Sequence, residues 1–313
     1  MPNWSEVLHE ISDFEDQGRR DSLDFVRRKY LDLLFKHTGR NVIAYYSGWL
    51  QKPGASDSTI SDKDKNAFMT CIHKLDRSKG LDLILHTPGG DLAATESIVD
   101  YLYAMFGRNI RAIIPQISMS AGTMIALSCK TIMMGKHSNL GPIDPQMGGV
   151  PCQGVISEFQ KAIDDIKKNP ASAPLWQVII GKYHPTFLGA CQHAITWSES
   201  LAEEWLDRNM CKGDRARSKK ILKDFSDHNA NKSHARHISK DKCKKIGLNI
   251  ANMEKDNVLQ DLILTSHHAY MHTFSQSTAI KIVENHLGVA YVEHLAVAQP
   301  VFNIDQSEKV LEG

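Results

Sequence analysis

Two short stretches carry the residue types from which acyl-transfer chemistry is built. Thr87-Pro88-Gly89-Gly90-Asp91 follows an apolar run and opens a helical pattern. Consecutive glycines let a backbone turn sharply and let a substrate approach bare N–H groups. A turn between a parallel strand and a helix lies outside the carboxyl end of the strand, the edge at which open α/β sheets bind ligands. It also lies beside the positive end of the helix that follows. The chemistry on offer is an oxyanion hole. The plainer alternative is a tight turn with Asp91 as an ordinary N-cap. One βα unit later stands Ser118-Met119-Ser120-Ala121-Gly122-Thr123. A serine among small residues at a strand-to-helix turn projects its hydroxyl into the space at which the next N–H points. The plainer alternative is that Ser118 or Ser120 caps the helix. Together the two turns would present a nucleophile and an anion site at one sheet edge.

The elements that must position these turns read as alternating strands and helices. Residues 41–49, 81–86, 109–115 and 131–134 are β-rich and apolar, and 61–78, 91–106 and 120–127 have helical spacing. Such alternation implies parallel strands joined by right-handed crossovers, in a sheet covered on both faces. Residues 4–35 read as one or two amphipathic helices, either an assembly arm or helices packed on their own domain. Residues 138–154, rich in Gly and Pro, read as loop. Mostly helical segments follow at 155–168, 174–183, 186–209 and 254–286. Between the last two, residues 208–245 hold 13 Lys+Arg against 4 Asp+Glu.

The whole chain narrows the class. It has 313 residues, 42% of them hydrophobic, and a net charge of +1. That composition excludes a disordered chain and suits an ordinary globular protein. No apolar run approaches the ~18 residues of a membrane span. The first residues, Met-Pro-Asn-Trp-Ser-Glu, lack the basic start and apolar middle of a signal peptide, so a cytoplasmic protein is expected. The six cysteines are scattered with no Cys-x-x-Cys pair, and are expected reduced and structural. The basic stretch has Phe225 as its one interleaved aromatic, which reads as a solvated surface rather than a nucleic-acid site. His268 and His272 have the spacing of a helical metal pair but no Glu between them, and no metal is expected. No Walker A motif and no G-x-G-x-x-G fingerprint appears, which argues against an intrinsic ATPase or a dinucleotide cofactor.

The run H-T-P-G-G-D, then I-S-M-S-A-G-T-M-I-A-L, then L-G-P-I-D-P-Q resembles the serine dehydrogenase proteinase family. That family belongs with the Clp-protease/crotonase-like serine peptidases and is related to signal peptide peptidase A. The resemblance is clearest over residues 81–149 and weaker at 194–210 and 239–250. It implies a Clp/crotonase-like α/β spiral of ββα units at residues 36–210. An N-terminal helical arm (1–35) would precede it, and a basic stretch with a C-terminal helical extension (211–313) would follow. It also implies that Ser120 is the nucleophile and that Gly90, with Gly89, and the Ala121 N–H form the oxyanion hole. A Clp-type triad has a histidine some way after the serine, but here that neighbourhood is Pro142-Ile143-Asp144-Pro145-Gln146. Signal-peptidase-like relatives use a lysine, and Lys161 stands at a suitable separation. Its helix, however, carries Val155, Phe159, Ala162 and Ile166 on one face and projects Lys161 roughly opposite. His137 is a further candidate base, and Asp144 matches the family's loop motif as a site-lining residue.

The function expected is therefore an ATP-independent serine endopeptidase with a Ser-Lys dyad, acting on peptides or unfolded proteins as a homo-oligomer, without a cofactor. Two competing expectations stand beside it. One is a non-catalytic peptidase-like scaffold that binds a partner. The other is an acyl-CoA hydratase or isomerase on the same fold.

Overall fold

The computed structural model describes residues 4–226 and 235–295. Helices α1 (Trp4–Asp16) and α2 (Ser22–Thr38) come first. Then follow β1 (Asn41–Ser47), α3 (Lys63–Ile72), β2 (Leu81–His86), α4 (Leu92–Phe106) and β3 (Ile110–Ile114). A two-residue strand β4 (Ile117–Ser118) leads into α5 (Ala121–Leu127) and β5 (Thr131–Met134). The Gly/Pro-rich segment holds the short strands β6 (Asn139–Leu140), β7 (Gln146–Met147) and β8 (Val150–Pro151). Three helices follow it, α6 (Cys152–Lys168), α7 (Ala173–Ile180) and α8 (Phe187–Trp205). The remainder is α9 (Arg215–Ser226), β9 (Ile238–Ser239), α10 (Lys240–Ile246), β10 (Ile250–Asn252), α11 (Asn257–Gln276), β11 (Ala279–Asn285) and β12 (Ala290–His294).

Seven strands form the central sheet in the order β10-β5-β3-β2-β1-β11-β12. The first five are parallel, β11 pairs antiparallel with β1, and β12 pairs antiparallel with β11. β1 and β2 are buried along their whole length, as strands covered on both faces must be. Alternation along β2 divides the core. Leu83 and Leu85 join Phe68, Met124 and Trp205 on one face. Ile84 joins Leu31, Tyr46, Tyr270 and Phe274 on the other. The protein is thus α/β with a mostly parallel sheet, as the alternation of elements implies.

One sequence expectation changes. Residues 254–286 are not one helix: α11 ends at Gln276 and β11 begins at Ala279. The strand hides because two of its residues are charged yet fully buried. Lys281 Nζ lies 2.9 Å from Asp64 of α3, and Glu284 receives Arg27 at 3.1 Å and Arg28 at 2.7 Å. In sequence such residues read as solvent-facing helix positions. Burial here requires partners that are distant in the chain. The C-terminal third therefore contributes β10, β11 and β12 to the same sheet as residues 41–134, besides its helices. Helix α2 lies against that sheet with Leu31 and Leu34 buried, the second of the two readings given for residues 4–35. Residues 227–234 of the basic stretch, with His228 and His234, lie outside the described residues. All six cysteines are buried and free. No helix among the described residues is long and apolar enough to cross a membrane.

Candidate active site

The two turns singled out in the sequence meet at the carboxyl ends of β2 and β3. Thr87 pairs with Ser118 in an isolated parallel bridge, and its carbonyl accepts the Met119 N–H at 3.0 Å. Its hydroxyl accepts the Gly89 N–H at 3.2 Å. The Gly89 carbonyl accepts from Ile60 N–H at 2.8 Å, and the Ile60 carbonyl accepts from Asp91 N–H at 2.9 Å. These bonds fix the Pro-Gly-Gly turn from two sides. Both glycines are obligatory there. Gly89 has φ +99°, and a Cβ on it would lie 2.8 Å from Ser120 Cβ. A Cβ on Gly90 would lie 2.3 Å from Ile60 N.

Ser120 sits at the N-cap of α5 with φ 48° and ψ −117°, and its side chain caps nothing. A non-glycine residue in that region is strained, and such strain persists only where surroundings impose it. Here the imposition comes from Met119, whose N–H is held by Thr87 and whose carbonyl takes the Gly122 N–H at 2.8 Å. The outcome is that two N–H groups beside the serine, those of Gly90 and Ala121, donate to no acceptor of the described chain. The Gly89 N–H is committed to Thr87, so it does not join them.

A cleft of about 390 Å³ opens over this floor. It is lined by Ser120, Ala121 and the 88–92 turn below, by Ile143, Asp144 and Met147 at one side, and by Trp197 and Ser198 of α8 above. Asp91 and Asp144 are its ionisable lining residues. Asp91 is engaged as the N-cap of α4, accepting the Ala94 N–H at 2.7 Å. Asp144 is 6% exposed. The roof rests on a small separate cluster of Cys152, Val155 and Cys191. Burial, then the neighbouring Cys191, pushes the Cys152 thiol up to about 12.

Of the residues read from sequence, the structure brings together Ser120, Gly89, Gly90, Ala121 and Asp144. Lys161 is not among them: it is exposed on α6 and does not line the cleft, in keeping with a helix whose buried positions are Cys152, Val155 and Ala162. His137 does not line it either. His268 and His272 flank the Trp4 ring, with centroids at 5.6 and 4.1 Å. Among the described residues no group of three or more His, Cys, Asp and Glu side chains is placed to hold a metal ion. Thr59, Trp197 and Ser198 went unremarked in the sequence. Thr59 reaches the cleft through the Ile60–Gly90 bridge, a non-local pairing that no short motif announces.

The fold is α/β, with a strained serine and two unspent N–H groups at the carboxyl edge of a mostly parallel sheet. The comparison with known families agrees: residues 55–180 match the ClpP-like SDH-type serine proteinases, the family to which the motifs pointed. Two relatives from Methanocaldococcus jannaschii, each titled an uncharacterized protein (MJ0137 and MJ1495), are 35% and 33% identical over 102 residues. In both cases the match covers 33% of this chain and 35% of the relative, so the chain spans about a third of the length of the proteins it matches.

Proposed function

We propose that the cleft cleaves peptide bonds by acyl transfer, with Ser120 as nucleophile. The observation that carries this is the strained serine flanked by the unspent N–H groups of Gly90 and Ala121. Ser120 Oγ attacks the peptide carbonyl, and its oxygen, gaining negative charge, is held by those two donors. The serine proton passes to the Asp144 carboxylate and from there to the leaving amine as the C–N bond breaks. Water then gives a proton to Asp144 and attacks the ester, and as the acyl C–O bond breaks Asp144 returns that proton to Ser120 Oγ, releasing the acid. Asp144 is assigned this role because it is a buried carboxylate that lines the same cleft as Ser120. No nucleotide enters these steps. The natural substrate would be an extended peptide or unfolded protein segment, and assembly of several copies would restrict access to the cleft.

A fluorophosphonate probe tests the reading. It should add to Ser120 in the wild-type protein and leave Ser120→Ala unmodified, as intact mass would show. A folded wild-type protein that does not react would make the cleft a peptide-binding scaffold. A second reading rests on the cleft's carboxylates. Paired N–H groups with a carboxylate also suit the enolate of an acyl thioester. Turnover of an enoyl-coenzyme A thioester by Ser120→Ala would favour it.

A further inference from the structure

We infer that Thr123 is a positioning residue: its buried hydroxyl sets the spacing between the nucleophile turn and the Asp144 loop. The inference rests on the Ser120–Asp144 reading above. Thr123 is fully buried and does not line the cleft, so it does not touch substrate. Its Oγ1 lies 2.9 Å from the Ser118 carbonyl and 3.0 Å from the Gly141 carbonyl, and it accepts the Gly141 N–H at 3.0 Å. A hydroxyl has one proton, so it donates to one of these carbonyls at a time while accepting from Gly141. A threonine inside a helix ordinarily turns its hydroxyl to the carbonyl four residues back. Here the bonds leave the helix and tie two other segments together.

The hydroxyl reinforces a direct backbone bond between the same segments, the Gly141 N–H to the Ser118 carbonyl at 3.1 Å. β4 and β6 pair over only two residues, ending at Ser118↔Leu140. Beyond that point one segment runs to Ser120 and the other to Asp144, and both residues line the cleft. Pro142 has no N–H to offer. The next backbone anchor is Ile143 N–H to the Phe225 carbonyl at 3.0 Å, which fixes the loop to α9 rather than to the serine. Thr123 therefore braces the Gly141–Ser118 backbone link between the nucleophile turn and the Asp144 loop. The fit is close, since a Cβ on Gly141 would lie 2.7 Å from Met119 Cε and 3.1 Å from Met119 Cα.

The test compares Thr123→Val, which keeps the shape and removes the hydroxyl, with Thr123→Ser, which keeps the hydroxyl. Thr123→Val should lower kcat and the fluorophosphonate labelling rate by roughly 10–100-fold with KM nearly unchanged, the signature of misplaced reacting groups. Thr123→Ser should restore both. Gly141→Ala, whose Cβ would press on Met119 beside Ser120, should repeat the kcat loss, and it decides the matter if Thr123→Val does not fold. The inference is overturned if folded Thr123→Val or Gly141→Ala keeps wild-type kcat and labelling rate, or if Thr123→Ser is as impaired as Thr123→Val. Those outcomes leave labelling of wild-type Ser120 intact. An unlabelled wild-type protein overturns the underlying reading and this inference with it.

Discussion

The carboxyl end of β2 faces two environments within a few residues, and both hold polar groups without full partners. On the cleft side, Gly90 and Ala121 keep N–H groups unspent beside Ser120, where water or substrate reaches them. On the other side, His86 is completely buried against Tyr46, Trp49 and His267 of α11, with centroids at 5.4, 4.4 and 5.1 Å. Neither of its ring nitrogens makes a full hydrogen bond among the described residues. Burial lowers its pKa to about 3, outweighing a favourable backbone contact with Ile117. His267 is lowered as well, first by burial and then by His86. An unspent donor in a wet cleft is available for chemistry and costs little. In a dry core the same kind of group is held neutral and makes the fold sensitive to acid.

The largest effect should come from the wet side. Gly90→Ala would place a methyl 2.3 Å from Ile60 N and 2.4 Å from Ile60 O, so the bridge that aims the Gly90 N–H must part. Loss of one oxyanion donor typically costs ~10²–10³ in kcat. Steady-state hydrolysis of an unfolded protein substrate should show a loss of that size, with the chain still folded by circular dichroism. Retained kcat would remove Gly90 from the site and erase the contrast between the two sides.

The dry side should affect stability and not turnover. In the unfolded chain His86 takes up a proton near its ordinary value of ~6.5, while the folded protein resists doing so down to about 3. The unfolded state therefore binds more protons across that window. Stability is fully present above about pH 6.5 and is lost as pH falls toward about 3, with a slope of up to ~1.4 kcal/mol per pH unit for this one group. His86→Leu should flatten the acid limb of a denaturation-versus-pH series while neutral-pH activity stays near wild type. An unchanged acid limb would mean that His86 is not held neutral.

How much of this was legible in the sequence differs between the two sides for a physical reason. The cleft floor is local: Gly89-Gly90 and Ser120-Ala121 each act within one turn, and turn chemistry is written in adjacent residues. The partners of Thr87, Ile60 and Thr123 are not local, and neither is the packing of His86 beneath α11. Charge misled where it was buried, as at Lys281 and Glu284 of β11. Helical spacing did inform on Lys161, since the apolar face of α6 already placed that residue opposite the packed side, although separation along the chain made it the first choice for a base.

The smallest effect is expected at Lys161, and it tests whether a polar group matters by type or by place. A lysine can take a proton from serine only when neutral, which requires burial or a neighbouring cation. Lys161 is exposed on α6, and nothing in the cleft lining includes it. Lys161→Ala should therefore keep kcat within about twofold, and a surface replacement of this kind usually shifts stability by no more than ~0.5 kcal/mol. Asp144→Asn, by contrast, should lose activity nearly as completely as Ser120→Ala, because a nucleophile and its base act as one unit. If the order reverses, with Lys161→Ala inactive and Asp144→Asn active, the base must reach Ser120 from outside the cleft of a single chain. A second copy placing its α6 over the site would then be required, and mixing inactive Ser120→Ala with inactive Lys161→Ala chains should restore turnover. Failure of that mixture to recover activity would mean that Lys161 acts on the Ser120 of its own chain.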